Sequence, residues 1–211
     1  MLHGQSGVGV WNDPTNRAYD RGNCNTAGED YRHLVNSTTV INTPKLANTA
    51  ANTILGDWRV SGILRARSGS WQTPTFTGES SGTGGNVNAQ RPNLISNNIY
   101  GNQCKTDLRS SNPTCRWYNR AAFDVPALGT LGTAGRASLL GPGSWTMDFG
   151  LSRVFTIVEG QTMEFRMEAS NVFNHTNFLN PNSNISSAAQ FGRITSADDP
   201  RIIQFGLKYN F

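Results

Sequence analysis

The sequence predicts an all-β fold: an antiparallel, up-and-down transmembrane β-barrel segment of about five strands, with long extracellular loops and short periplasmic turns. Three observations lead to this prediction. The final segment, 201–211, alternates between apolar and polar side chains. No apolar run approaches the roughly 20 residues that a membrane helix needs. Long stretches rich in glycine and asparagine separate the strand-like segments. A barrel is compatible with all three, because only alternate residues of each strand must be apolar.

The composition argues against an ordinary soluble domain and against a nucleic-acid partner. Charged residues make up 15% of the chain, against about 25% in typical globular proteins. The formal net charge is +4, but no run of lysine and arginine is present, so no nucleic acid is predicted as a partner. The 22 glycines, with many Asn, Ser and Thr residues, favour turns and long loops.

The predicted strand at 201–211 has one apolar face and one polar or small face, because side chains alternate along a strand. The apolar face carries Ile203, Phe205, Leu207, Tyr209 and Phe211. A half-buried strand of a soluble antiparallel sheet is the alternative interpretation, since the same alternation occurs there. In a barrel this face would contact lipid.

Two further strands are predicted near 33–43 and 57–67. The first is rich in β-branched residues and ends at Pro44. The second places Arg59, Arg65 and Arg67 on the same face. An arginine that points into lipid at mid-depth costs about 2–4 kcal/mol. We therefore expect these three side chains to face water or a polar lumen.

A hairpin is predicted from strands near 145–156 and 161–172. If the apolar faces of both strands lie on one side of the sheet, the loop between them must contain an odd number of residues. Residues 158–160 form such a three-residue loop, with glycine at the position that needs a positive φ. This register places Ser152 opposite Arg166 and Leu151 opposite Met167. Arg153 interrupts the apolar face, and we expect it to snorkel to the membrane interface.

The polar faces of these strands carry the candidate lumen-facing residues. Glu164 and Glu168 resemble a carboxylate pair, but they alternate with Arg166, so charge compensation explains them better than acid–base catalysis. The predicted lumen-facing residues are Arg59, Arg65, Arg67, Asp148, Glu164, Arg166 and Glu168.

The long connections predict the orientation of the barrel. Segments 68–143 and 174–200 far exceed the roughly 12–15 residues usual for a structureless loop in a compact domain. Outer-membrane barrels carry long loops outside the cell and short turns on the periplasmic side. We expect these two segments and the loop at 1–31 to be extracellular, and the connections at 44–56 and 158–160 to be periplasmic.

Cys104 and Cys115 flank a polar stretch and would close a disulfide loop in an oxidising compartment. Two unpaired thiols are the alternative. No spacing predicts a catalytic residue, a cofactor or a metal site: the three histidines lie far apart, and no GxSxG motif is present. Asp198 and Asp199 could ligate Ca²⁺, but a solvated acidic turn explains them more simply. The protein is therefore not expected to be an enzyme.

The chain resembles outer-membrane proteins in its last residues and in several internal segments. Gln204-x-Gly206-x-x-Tyr209-x-Phe211 is similar to the C-terminal signal by which outer-membrane barrels are recognised for assembly. Other segments resemble TonB-dependent outer-membrane receptors of the Oar-like type. These segments are 56–63, 68–70, 132–136, 140–143, 145–155, 165–178 and 191–201. The resemblance covers about residues 30–75 and 115–211.

This resemblance implies energy-coupled uptake of a substrate across the outer membrane through a large closed barrel with an N-terminal plug domain. The implied partners are outer-membrane lipid, the barrel-assembly machinery and the inner-membrane TonB complex. Residues 1–6 lack the charged and apolar regions of a signal peptide. We therefore expect the signal peptide, the plug and the TonB-contacting segment to lie outside this chain, which would be the C-terminal portion of the barrel.

Two other interpretations share parts of the same evidence. A passive porin-type barrel has the same assembly signal and polar lumen without a plug or energy coupling. A surface β-sandwich that binds glycans would use 68–143 as its binding loop and bury the apolar face of 203–211 against a second sheet.

Overall fold

A computed structural model of the chain describes residues 16, 18, 21–23, 31–45, 47, 52, 55–82, 90–101 and 115–211. The chain divides into two compact units. The loop unit comprises Met1–Arg32, Ser68–Gly143 and Phe178–Ala197. The sheet unit comprises His33–Arg67, Ser144–Asn177 and Asp198–Phe211.

The strands of both units are antiparallel and are numbered here in chain order. They are β1 (Leu34–Asn42), β2 (Arg59–Arg67), β3 (Trp71–Gln72), β4 (Asn93–Leu94), β5 (Phe123–Asp124), β6 (Leu139–Leu140), β7 (Ser144–Val158), β8 (Gln161–Ser170) and β9 (Ile202–Asn210). The sheet unit contains one five-stranded sheet in the order β1-β2-β7-β8-β9. Its long strands follow one another as neighbours, which confirms the predicted up-and-down, all-β fold.

The β7–β8 hairpin has the predicted pairing over most of its length. Ser152 lies opposite Arg166, and Leu151 lies opposite Met167. The predicted three-residue loop is wrong, because β7 extends to Val158 and β8 begins at Gln161. The register shifts between Thr156 and Val158, so a bulge absorbs the extra residue and a two-residue turn closes the hairpin. Gly160 in this turn has a positive φ of 82°, as a turn glycine can adopt without strain.

The two ends of the sheet differ in the length of their connections. β7 and β8 join through the tight turn at one end. At the other end, 68–143 connects β2 to β7 and 171–201 connects β8 to β9. The five long strands begin and end within two residues of the spans that the sequence predicts.

The loop unit has a core that the sequence did not predict. Its hydrophobic cluster includes Tyr118, Phe123, Leu139, Ile185 and Phe191, each 2% exposed or less. The Phe191 ring centroid lies 5.6 Å from that of Phe123 and 6.1 Å from that of Tyr118. The described parts of segments 68–143 and 178–197 therefore fold together and are not structureless loops.

Short elements surround this core. The two-stranded sheets β3–β6 and β4–β5 belong to the loop unit, together with the 3-10 helix Arg120–Ala122. Asn119 caps that helix, because its side chain accepts a hydrogen bond from the Ala121 N–H. Within the described part of the chain, no helix has the length and apolar character needed to cross a membrane.

Candidate functional site: the polar face of the five-stranded sheet

The register brings all seven predicted lumen-facing residues to one face of the sheet. Arg59 lies opposite Ser152, which in turn lies opposite Arg166, so three neighbouring strands present these side chains together. Glu164 lies opposite Lys208 of β9. On the five strands, this face holds five cations and three carboxylates. They are Arg59, Arg65, Arg67, Arg166, Lys208, Asp148, Glu164 and Glu168.

Two ion pairs order this polar face. The Arg65 guanidinium pairs with the Asp148 carboxylate between β2 and β7. Arg166 Nε lies 3.0 Å from Glu164 Oε1 on β8. The arginine side chains are 57% and 61% exposed, so each pair contributes only about 0–1 kcal/mol to stability. The main effect of the two ion pairs is to balance and orient charge along the polar face of the sheet.

Asp148 also fixes the chain where it leaves β8. Its Oδ1 accepts a hydrogen bond from the Asn171 N–H at 3.0 Å. The Asn171 side chain accepts from the His175 N–H (3.0 Å) and donates to the His175 carbonyl (2.9 Å). Asn171 and Asn174 have positive φ values of 50° and 51°, a conformation that asparagine tolerates better than most residues. We call residues 171–177 the Asn turn.

The far end of the Asn turn is bonded to β7. Asn177 is 1% exposed, and its Oδ1 accepts a hydrogen bond from the Trp145 N–H at 2.9 Å. His175 Nδ1 lies 3.0 Å from the same oxygen. The His175 ring also packs on Trp145 with 4.5 Å between centroids. In the sequence these residues stood out only through a family resemblance, and the run of asparagines after β8 was the available signal for a left-handed turn.

The opposite face of the sheet is apolar and widely exposed. Phe205 and Leu207 of β9 are 69% and 68% exposed. They lie opposite Met167 and Phe165 of β8, which extend the same apolar surface. Contiguous apolar surface of this kind indicates contact with lipid or protein.

Arg153 is the exception on the apolar face, and the expectation that it snorkels is wrong. The residue is 8% exposed. Its guanidinium lies 4.7 Å from the Phe155 ring centroid and 5.6 Å from that of Trp58. Nη2 donates to the Asn52 carbonyl at 3.0 Å. Aromatic faces attract the cation, and the carbonyl accepts a hydrogen bond from it, so the charge is held among protein groups.

The predicted assembly signal lies along β9 and immediately after it. Gln204 and Gly206 point to the polar face, opposite Glu168 and Arg166. Tyr209 lies on the apolar face, and its hydroxyl donates to Gln161 Oε1 at 2.6 Å. The Phe211 ring lies 6.1 Å from that of Tyr209. Recognition of these residues by assembly machinery stays a prediction.

The remaining predicted sites concern cysteines, metals and catalysis. Cys115 is buried and disulfide-bonded, while Cys104 and Cys24 lie outside the described residues, so the Cys104–Cys115 pairing stays a prediction. Among the described residues, no group of three or more His, Cys, Asp or Glu side chains could hold a metal ion. The carboxylate of Glu164 is engaged by Arg166, as charge compensation predicts.

Comparison with known protein families identifies the domain to which this sheet belongs. The family model of the outer membrane beta barrel domain matches residues 2–204. Comparisons with curated proteins and with solved structures find no match. The matched range includes four of the five long strands in full and only the first three residues of β9. The chain therefore belongs to the outer membrane beta barrel domain family and is an outer-membrane β-barrel protein.

Proposed function

We propose that this chain forms part of the barrel wall of an Oar-like TonB-dependent receptor that takes up a substrate across the outer membrane. The observation that carries the proposal is the folded loop unit, with its own buried core. A receptor needs a defined surface with which to recognise its substrate, and loops on a rigid scaffold commonly supply one. The sequence resemblance to Oar-like receptors supports the same assignment.

In this proposal the charged face lines the lumen and the opposite face contacts outer-membrane lipid. Two ion pairs and the surplus of cations suit a water-filled interior, whereas an arginine facing lipid would cost about 2–4 kcal/mol. The end of the sheet with the long connections is extracellular. The barrel-assembly machinery recognises the β9 signal, and the TonB complex acts through a part of the receptor outside this chain. The protein has no enzymatic role.

The experiment compares uptake by cells that express the complete receptor in the presence and absence of TonB. Energy-coupled transport predicts that uptake falls to background in the TonB-deficient strain and after a protonophore dissipates the membrane potential. Immunoblots of outer-membrane fractions control for equal receptor levels. Unchanged uptake under both conditions would contradict the proposal.

A passive porin is the second candidate, and the net positive polar face favours it, because charged linings tune diffusion through open barrels. A porin predicts that uptake is independent of TonB and that the protein conducts ions in a planar bilayer. A plugged receptor predicts little conductance there. The family match favours a barrel over the surface β-sandwich.

A further inference from the structure

The loop unit contains an open cavity of about 520 Å³, within the roughly 300–1,000 Å³ typical of small-molecule sites. Two arginines, Arg116 and Arg120, line it together with Asn98, Asn119 and Tyr100. No aspartate or glutamate among the described residues lines the cavity. The described part of the cavity therefore presents positive charge and neutral hydrogen-bonding groups.

Backbone carbonyls hold the two guanidinium groups in place. Arg116 Nη1 donates to the Phe191 carbonyl at 2.5 Å. Arg120 donates from Nε to the Ile185 carbonyl (3.0 Å) and from Nη1 to the Phe123 carbonyl (2.5 Å). Within the described residues, neither arginine forms an ion pair. Carbonyl groups orient a guanidinium without neutralising it, and each arginine retains further N–H donors.

The neutral groups of the cavity are also fixed. Asn119 Nδ2 donates to the Asn98 carbonyl at 2.9 Å, and Asn119 Oδ1 accepts from the Ala121 N–H. The Tyr100 hydroxyl accepts from the Leu140 N–H at 3.2 Å, so its own proton remains available to donate. Tyr118 adds no negative charge, because burial raises the pKa of its phenol, which donates to Gln72 Oε1. The cavity is preorganised.

We propose that this cavity binds a carboxylate-bearing sugar, that is, an acidic saccharide. The planar forks of Arg116 and Arg120, which have no acidic partner among the described residues, match a carboxylate in geometry and charge. The asparagine amide groups and the tyrosine hydroxyl are donors and acceptors that suit sugar hydroxyls. The binding stands on this geometry alone, whereas its role in capturing a transport substrate rests on the proposed function.

The first test compares two ligands that differ only at one carbon. The complete receptor is extracted from outer membranes in detergent, galacturonate or galactose is titrated into it, and binding is followed by calorimetry. We expect galacturonate to bind at least about tenfold more tightly, since hydrogen bonds to charged groups outweigh neutral ones. Equal affinities for the two sugars would overturn the proposal. Inorganic phosphate that competes as well as galacturonate would overturn the assignment to a saccharide.

The second test places a negative charge in the cavity without removing an arginine that supports the core. Asn98→Asp changes a side chain that lines the cavity, and Asn97→Asp makes the same change at an exposed neighbour that does not line it. We expect Asn98→Asp to weaken galacturonate binding at least about fivefold through like-charge repulsion. Asn97→Asp should leave it unchanged. Near-UV circular dichroism checks that both variants retain the folded core.

The outcomes separate this inference from the proposed function. Equal effects of the two substitutions on binding, with folding intact, reject the cavity as the site. Galacturonate binding that persists while uptake proves independent of TonB rejects only the energy-coupled role. TonB-dependent uptake in a receptor that does not bind galacturonate rejects only the acidic-saccharide assignment.

Discussion

The two units of the chain bury their apolar residues in opposite ways. In the loop unit, Tyr118 and Phe191 are 0% exposed within a core of aromatic and aliphatic side chains. In the sheet unit, Phe205 and Leu207 are more than two-thirds exposed. The loop unit is thus organised around the exclusion of water, as in a soluble domain. The sheet unit is organised by strand pairing and leaves its apolar face exposed.

The largest expected effect comes from creating a cavity in the core of the loop unit. Phe191→Ala should destabilise that unit by about 3–5 kcal/mol, because it removes a fully buried aromatic ring. The measurement is limited proteolysis and near-UV circular dichroism of the detergent-extracted protein. Phe205→Ala is the matched control, since that ring is exposed on the sheet. Equal proteolytic sensitivity of the two variants would contradict the distinction between the units.

The next effect tests the two faces of the sheet. Leu207→Arg places a cation on the apolar face, at a cost of about 2–4 kcal/mol if that position lies at mid-membrane. Gln204→Arg places the same residue on the polar face of the same strand and should be tolerated. The amount of assembled barrel is measured in outer-membrane fractions, in which a folded barrel changes its electrophoretic mobility on heating. If both variants assemble equally well, the assignment of faces is wrong.

A smaller effect is expected at the Asn turn. Asn171→Ala removes three hydrogen bonds of the Asn171 side chain: two that it donates, to the His175 and Asp199 carbonyls, and one that it accepts from the His175 N–H. The substitution also forces alanine into positive φ. We expect a loss of about 1–3 kcal/mol, measured by thermal unfolding in detergent. Asn171→Gly loses the same bonds without the backbone strain, so the difference between the variants isolates the conformational cost. Identical melting temperatures would show that strain contributes nothing.

The smallest expected effect is on the pH dependence of the stability of the loop unit. Hydrogen bonds from Ser81 and Gln90 to the Glu79 carboxylate lower its pKa below the ordinary value of 4.5. A lowered folded-state pKa contributes stability that is present above about pH 4.5 and is lost as the pH falls through the lowered pKa. Glu79→Gln should remove this dependence. Denaturant unfolding of both proteins from pH 7 to pH 3 provides the measurement, and parallel curves would count against the role of Glu79.

The fold of the sheet was predictable because its signals are local. Period-two alternation gave the strands, and matching the apolar faces of β7 and β8 gave the pairing of Ser152 with Arg166. The turn was predicted with the wrong length, because two arrangements satisfy the same alternation of side chains: a three-residue loop, and a two-residue turn that follows a bulge. Arg153 was misplaced because its aromatic partner Trp58 is distant in sequence and approaches it only when the strands pair.

The loop unit was not predictable from such patterns. Its core combines Phe76, Tyr118 and Ile185 from segments without strand or helix periodicity. The candidate cavity has the same origin, since Arg116 and Arg120 are positioned by carbonyl groups of Phe191 and Ile185. Contacts between residues so far apart in sequence leave no local signature.

The hydrogen bonds that Asp148 accepts from Asn171 and Arg65 have a consequence for the order in which the chain folds. Its partner Asn171 is 23 positions away in sequence, and its partner Arg65 is 83 positions away. Closing the shorter loop costs less chain entropy, so the β7–β8 hairpin and the Asn turn can form as an early kinetic unit. The second oxygen of Asp148 then remains available until β2 docks. One carboxylate thus links a local folding event to the later registration of a distant strand.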